Sequence, residues 1–250
     1  MADPRFLTTP QGHKIAYHKT KGIAPGVVFL GGFKSDMDGT KAIYLEQWAR
    51  ENGREFLRLD YSGHGHSSGD FTQGSIGEWA EDAIAAIAAL TDGPQVLVGS
   101  SMGGWIAMLV IRALPEKIAG LVGIAAAPDF TEDGYWANFS QEQQDIVRSD
   151  GQIELPSEYS DEPYIITRKL IEDGRNQLVL RSPLTFAFPV RLMQGTADDA
   201  VAMSVPLRIV EHATGADVRL TLVKDADHRF STPDCLQMIE GAIAEVLERC

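Results

Sequence analysis

Short apolar runs alternate along the chain with longer stretches in which apolar residues recur every three or four positions. The first run, residues 27–30, is Val-Val-Phe-Leu and ends at Gly31-Gly32, as a buried strand ends at a turn. Residues 40–52 read as a helix with Ile43 and Trp48 on its apolar side. A strand over 55–60 leads into the loop Tyr61-Ser62-Gly63-His64-Gly65. Over 76–90, Ile76, Trp79, Ala83, Ile87 and Leu90 trace one face of a helix. A short strand at 95–99 passes at once into a helix at 102–113, which Pro115 closes, and another strand follows at 118–126. A strand over 190–194, a helix over 204–212 and a strand over 218–223 come later. Thr232-Pro233 reads as an N-cap and first helical residue, followed by a stripe of Leu236, Ile239, Ile243 and Leu247.

Strands and helices alternating in this way predict an α/β domain with a mostly parallel central sheet flanked by helices. The rhythm lapses over 128–183, which holds aromatic and charged residues but no clear strand of the main sheet. Because it resumes afterwards, all 250 residues read as one domain carrying a small cap insertion at about 129–181. Trp136, Phe139, Tyr159 and Tyr164 give that cap apolar surface, and Trp136 is a candidate substrate contact.

Composition narrows the function by exclusion. With 35 acidic against 22 basic residues the net charge is −13, a field that repels nucleic-acid phosphates and anionic membranes. No apolar run approaches the roughly 18 residues of a membrane span. The start, Met1-Ala2-Asp3-Pro4-Arg5, does not read as a signal peptide. Cys235 and Cys250 have no metal-ligand spacing and form no disulfide framework, so a reduced, cytoplasmic setting is expected, with no metal and no cofactor.

The chemistry concentrates where the 95–99 strand meets the 102–113 helix. Gly99, Ser101 and Gly103 form G-x-S-x-G in a strand–turn–helix context, which holds the serine exposed above the sheet. Ser100 does not fit, because Val98 rather than glycine precedes it by two. A serine hydroxyl needs an adjacent base, and His228, between the last strand and the last helix, stands where one belongs. His13, His18 and His212 are poorly placed, and His64 and His66 read as loop histidines. The acid that orients the imidazole should follow the 190–194 strand. Asp198 is favoured there as the third residue after Gly195, with Asp199 and Asp129 as alternatives. The amides of Phe33 and Met102 are the candidate oxyanion donors. Their bulky side chains predict a hydrocarbon wall beside the scissile carbonyl, and Arg229 is a candidate contact for an anionic leaving group.

Tyr61-Ser62-Gly63-His64-Gly65, the stretch from Phe33 to Ala42, Gly99-Ser100-Ser101-Met102-Gly103-Gly104-Trp105, Pro115-Glu116-Lys117 and Asp227-His228-Arg229 together resemble the mitochondrial palmitoyl-protein thioesterase and acyl-glucuronide esterase family of the α/β-hydrolase superfamily. The resemblance implies the α/β-hydrolase fold and hydrolysis of fatty-acyl thioesters and acyl glucuronides. Many members carry His before the glycine of the oxyanion loop, where this chain has Gly31. The start of the chain does not read as the family's mitochondrial targeting extension, so a bacterial-type relative is expected. The expectation is a serine hydrolase acting on a small acyl ester or thioester through an acyl-enzyme. Carbon–carbon bond hydrolysis, cofactor-free haloperoxidase chemistry and a non-catalytic binding protein share the fold.

Overall fold

The central strands are apolar on both faces because helices cover both. In β5 (Gln95–Ser100), Val96 and Val98 pack into one hydrophobic cluster and Leu97 into the other. β3 (Ile23–Leu30) divides in the same way, Val27 and Phe29 against Val28 and Leu30. So does β6 (Ile118–Ile124), Val122 and Ile124 against Leu121. Alternation along a strand carries side chains to opposite faces, and burial of both is why each strand reads as a continuous apolar run. Each such side chain contributes roughly 1.5–3 kcal/mol by leaving water. This arrangement comes from a computed structural model, which describes residues 3–156 and 163–250.

The remaining strands are β1 (Arg5–Thr8), β2 (Lys14–Thr20), β4 (Arg54–Leu59), β7 (Gln152–Leu155), β8 (Tyr164–Thr167), β9 (Val190–Gly195) and β10 (Val218–Val223). Eight of the ten strands among the described residues form one sheet in the order β1-β2-β4-β3-β5-β6-β9-β10. Pairing is antiparallel between β1 and β2 and between β2 and β4, and parallel from β4 to β10. α2 (Ile76–Leu90) and α3 (Met102–Ala113) bury their apolar faces in the cluster on one side of the sheet. α1 (Thr40–Glu51) and α7 (Pro233–Leu247) cover the other. α6 (Ser204–His212) adds Ile209 to the α2–α3 side. The Thr232 side chain accepts from the Cys235 amide and Pro233 occupies the first turn, so α7 starts where its capping signal stands.

Two features depart from the sequence expectation. The β1–β2 hairpin carried no recognised signal, since β1 is only four residues long and exposes Phe6. β6 stops two residues before the end of its apolar run, because Ala125 turns into the left-handed region with φ 44°. Between β6 and β9 lie a π-helical turn at Phe130–Tyr135, a 3₁₀ turn at Trp136–Asn138, α4 (Gln141–Asp150), β7, β8 and α5 (Arg168–Asn176). β7 and β8 pair with each other in a separate two-stranded sheet. Tyr159, one of the aromatics expected to shape a cap, lies outside the described residues.

The parallel strands β3, β5, β9 and β10 all deliver their carboxyl ends to one edge of the sheet. The loops that follow carry Phe33, Ser101, Asp198 and His228. The crevice beyond the strand carboxyl ends is where open α/β sheets bind ligands.

Candidate active site

The turn after β5 leaves no space for side chains on either flank of Ser101. A Cβ on Gly99 would lie 2.5 Å from the Gly103 carbonyl oxygen, and one on Gly103 would land on the Leu30 carbonyl oxygen. Backbone meets backbone at both positions, so only glycine fits. Ser101 itself sits at φ 54° and ψ −119°, a conformation that costs a non-glycine residue on the order of 1–3 kcal/mol. Its surroundings hold it there. The Ser101 amide donates to the Ile124 carbonyl at 2.9 Å, and its own carbonyl accepts from Gly104 at 2.9 Å and Ala127 at 3.0 Å.

His228 and Asp198 approach from two other loops. Asp198, its side chain fully buried, accepts from His228 Nδ1 at 2.9 Å. The same carboxylate accepts from Gln194 Nε2 at 2.7 Å and from the amides of Ala200 at 3.0 Å and Val201 at 2.8 Å. Burial opposes its ionisation, but the His228 hydrogen bond and the Val201 amide outweigh that effect and hold it below the usual carboxylate range. An ionised carboxylate can only accept, so Nδ1 carries the proton, and Nε2 of the neutral ring faces Ser101 Oγ at 3.1 Å as acceptor. The hydroxyl therefore donates to a base whose far side is already fixed.

A cavity of about 580 Å³ opens over this serine. Phe33, Phe130, Tyr135 and Tyr164 form an aromatic side, with Phe33 in edge contact with Phe130 at 5.7 Å between ring centres. Burial, with a smaller contribution from Tyr164, pushes the Tyr135 hydroxyl up to about 12, so it stays neutral. The other side is polar, with Thr40, Lys41, Arg229 and Ser231 among its residues. Met102 opens α3, where the first amides have no partner within the helix. Gly32 brings the Phe33 loop close to the serine: a Cβ there would lie 3.4 Å from Ser101 Cβ.

Several sequence expectations change on this geometry. Asp129, the alternative acid after β6, is fully buried and accepts from the Val179 and Leu180 amides at 2.8 and 3.0 Å and from Arg181 at 3.0 Å. It ties down the chain that returns from the inserted segment. Asp199 is exposed. The Met102 side chain is buried in the core and does not line the cavity, so of the two candidate oxyanion donors only Phe33 forms hydrocarbon wall. Trp136 does not line it either. The guanidinium groups of Arg148 and Arg175 lie over its ring, at 5.0 and 4.7 Å from the centre, and its neighbour Tyr135 faces the cavity instead. Arg229 does line the cavity.

Two residues escaped the sequence reading. His64 is buried, with Nδ1 donating to the Ser62 carbonyl at 3.2 Å and Nε2 accepting from the Lys34 amide at 3.3 Å. It thus braces the loop that carries Phe33. Burial lowers its pKa to about 4, so it is neutral and acts through position. The loop motif around it was visible, but nothing local indicates a partner thirty residues away. Lys41 reaches across to the His228 loop and donates to the Arg229 carbonyl at 2.5 Å.

A family model described as serine aminopeptidase, S33, matches residues 25–152. The mitochondrial palmitoyl-protein thioesterase ABHD10 of Bos taurus is 34% identical over 248 residues, covering 98% of this chain and 80% of the relative. A crystal structure from Agrobacterium vitis S4 superposes with a TM-score of 0.95 at 38% identity, covering 98% of both chains. Alpha/beta hydrolase domain-containing protein 10 from mouse superposes with a TM-score of 0.92 at 33% identity, covering 99% of both. With likeness of this extent in sequence and in backbone, the chain belongs to the α/β-hydrolase family, in the branch that contains ABHD10.

Proposed function

We propose that the protein is a serine hydrolase that cleaves carboxylic esters or thioesters through an acyl-enzyme on Ser101. The observation that carries this reading is the chain of hydrogen bonds from Asp198 through His228 to Ser101, at 2.9 and 3.1 Å, with the serine in a strained turn above the sheet. His228 takes the hydroxyl proton as Ser101 Oγ attacks the carbonyl carbon. Asp198 stabilises the imidazolium that forms. The amides of Phe33 and Met102 receive the charge on the carbonyl oxygen of the tetrahedral intermediate. His228 then gives the proton to the departing oxygen or sulfur. Water, deprotonated by the same imidazole, releases the acid and restores Ser101.

Specificity follows from the two sides of the cavity. Phe33, Phe130, Tyr135 and Tyr164 favour a hydrocarbon acyl group. The inserted segment supplies three of these four, which supports its role as a cap that shapes the acyl site. Arg229 on the polar side suits an anionic leaving group such as the carboxylate of an acyl glucuronide. The ABHD10 relatives' name, palmitoyl-protein thioesterase, supports an acyl thioester as substrate. Free Cys235 and Cys250 suit a reducing, cytoplasmic setting.

The test is a panel of aryl esters and acyl thioesters of graded chain length, run beside Ser101→Ala. Serine-dependent turnover across the panel is expected, and its absence from every ester and thioester would sink the proposal. Comparing a neutral ester with an acyl glucuronide in wild type and Arg229→Ala tests the leaving-group contact. The glucuronide alone should slow; equal slowing of both, or of neither, removes Arg229 from anion recognition.

A further inference from the structure

The loop that carries His228 is held on one side by hydrogen bonds to the loop after β9 and by one within itself. The Asp225 amide donates to Thr196 Oγ1 at 2.8 Å, Ala197 donates to the Ala226 carbonyl at 3.0 Å, and Phe230 donates to Asp227 Oδ1 at 3.0 Å. Phe230 is fully buried, yet its backbone takes a positive φ of 49°. The carbonyl just before it, that of Arg229, points out of the loop toward α1. Lys41, in the first turn of α1, meets this carbonyl at 2.5 Å and lies 3.4 Å from Ser231 Oγ. Ser231 Oγ donates to the same carbonyl at 2.8 Å.

We propose that Lys41 is a positioning residue of the serine-hydrolase site, whose ammonium ties the His228 loop to α1 and so sets the imidazole against Ser101. This inference rests on the hydrolase reading above. Lys41 follows directly from the loop that carries Phe33, so one side chain couples the placement of the base to the placement of the oxyanion donor. A charged donor forms a hydrogen bond roughly twice as strong as a neutral one, so the tie depends on the ammonium. Burial pulls the Lys41 pKa down from 10.5 to about 8, with Arg229 adding to the fall while Asp227 and Cys235 oppose it. Lys34 and Asp36 from the preceding loop, and His228 itself, share the cavity wall. The clamp thus weakens as pH rises through about 8.

Stability separates positioning from mere support of the fold. Between about 8 and 10.5 the unfolded chain binds the lysine proton and the folded chain does not, so the depressed pKa opposes folding at neutral pH and this penalty fades as pH rises. Lys41→Met therefore removes a strained charge and should not lower Tm at pH 7. Its kcat on a short aryl ester should fall by about tenfold, with KM changed by less than about twofold, as expected when a catalytic group is slightly misplaced.

The experiment measures kcat, KM and pH profile from 6 to 9.5 for wild type, Lys41→Met and Lys41→Arg, with fluorophosphonate labelling of Ser101 in each. Wild type should lose kcat above about pH 8. Lys41→Arg keeps a donor that stays charged to about pH 12 or beyond, so it should retain most of the rate at pH 7 and lose the alkaline decline. An unchanged kcat in Lys41→Met, or a wild-type alkaline decline in Lys41→Arg, overturns the proposal. Should Lys41→Met fail to fold, the Lys41→Arg profile decides alone. Labelled Ser101 with an unaltered Lys41→Arg profile defeats only the lysine inference. Wild type that neither labels nor turns over defeats the hydrolase reading and this inference together.

Discussion

The turn around Ser101 and the segment between β6 and β9 face the same cavity but are built from different kinds of contact. At the turn, backbone packs on backbone: Gly103 against the carbonyl of Leu30, Gly99 against Gly103. In the inserted segment, side chains do the holding. Asp129 gathers two amides and Arg181 at the segment's root, and Asp173 of α5 accepts from the Gly77 amide of α2 at 2.7 Å. Trp136 holds two arginines against its ring. A backbone contact admits one residue type, whereas a side-chain contact can be made by many. The first kind leaves a motif in the sequence and the second does not, which is why the turn was readable, while of the cap's lining the sequence pointed to Tyr164 but not to Phe130 or Tyr135.

The largest effect should come from the turn. Ser101→Ala removes the proposed nucleophile and should lower kcat by about 10⁴-fold or more while leaving Tm nearly unchanged. Labelling by fluorophosphonate that persists in this variant would refute the assignment. Gly103→Ala should act in the opposite manner, as a fold defect of about 3 kcal/mol or more read by denaturant midpoint, because its methyl meets the Leu30 carbonyl.

Asp198→Asn comes next. It should lower kcat by about 10³–10⁴-fold by allowing the wrong imidazole tautomer, while exposed Asp199→Asn stays near wild type. Greater damage from Asp199→Asn would reverse the assignment of the acid. The lowered Asp198 pKa stabilises the fold above the ordinary carboxylate range, and that contribution disappears as pH falls through its native value. The Tm difference between wild type and Asp198→Asn should narrow over that acid range.

The inserted segment should give smaller and more selective effects. Tyr135→Ala enlarges the aromatic side of the cavity and should shift the preference between short and long acyl esters by about tenfold, on the order of the 1–3 kcal/mol that pocket hydrocarbon contributes. Trp136→Ala, which removes the ring that Arg148 and Arg175 pack on, should leave that preference alone. Equal shifts in the two variants would blur the distinction between lining and anchor.

His64→Gln should have the smallest effect, a Tm change of a few degrees. Between pH 6.5 and about 4 the unfolded chain binds the histidine proton and the folded chain does not. Wild-type stability therefore falls as pH drops through this window, and the lead of wild type over His64→Gln should shrink with it. A constant gap across the window would show that His64 is not held neutral.

What the sequence determined by itself is whatever local chemistry enforces. The helices Ile76–Leu90, Met102–Ala113 and Ser204–His212 begin and end where the three-to-four-residue periodicity and the breakers say, since each depends on its own residues. The same holds for the turn at Ser101, where glycine spacing marks close backbone packing, of Gly99 on Gly103 within the turn and of Gly103 on Leu30 across it. The short β1–β2 hairpin was not legible, because a four-residue strand exposing most of its side chains has no hydrophobic pattern to show. Only the tertiary structure showed which of Asp198, Asp199 and Asp129 meets His228, since all three follow strand ends and differ in what lies across from them. It also turned Met102 into the core, put Tyr135 rather than Trp136 on the cavity, and brought His64 to Lys34 and Lys41 to Arg229. Lys41 and Arg229 are separated by 188 positions. A contact of that span is created by the order of strands in the sheet, and no window of neighbouring residues contains it.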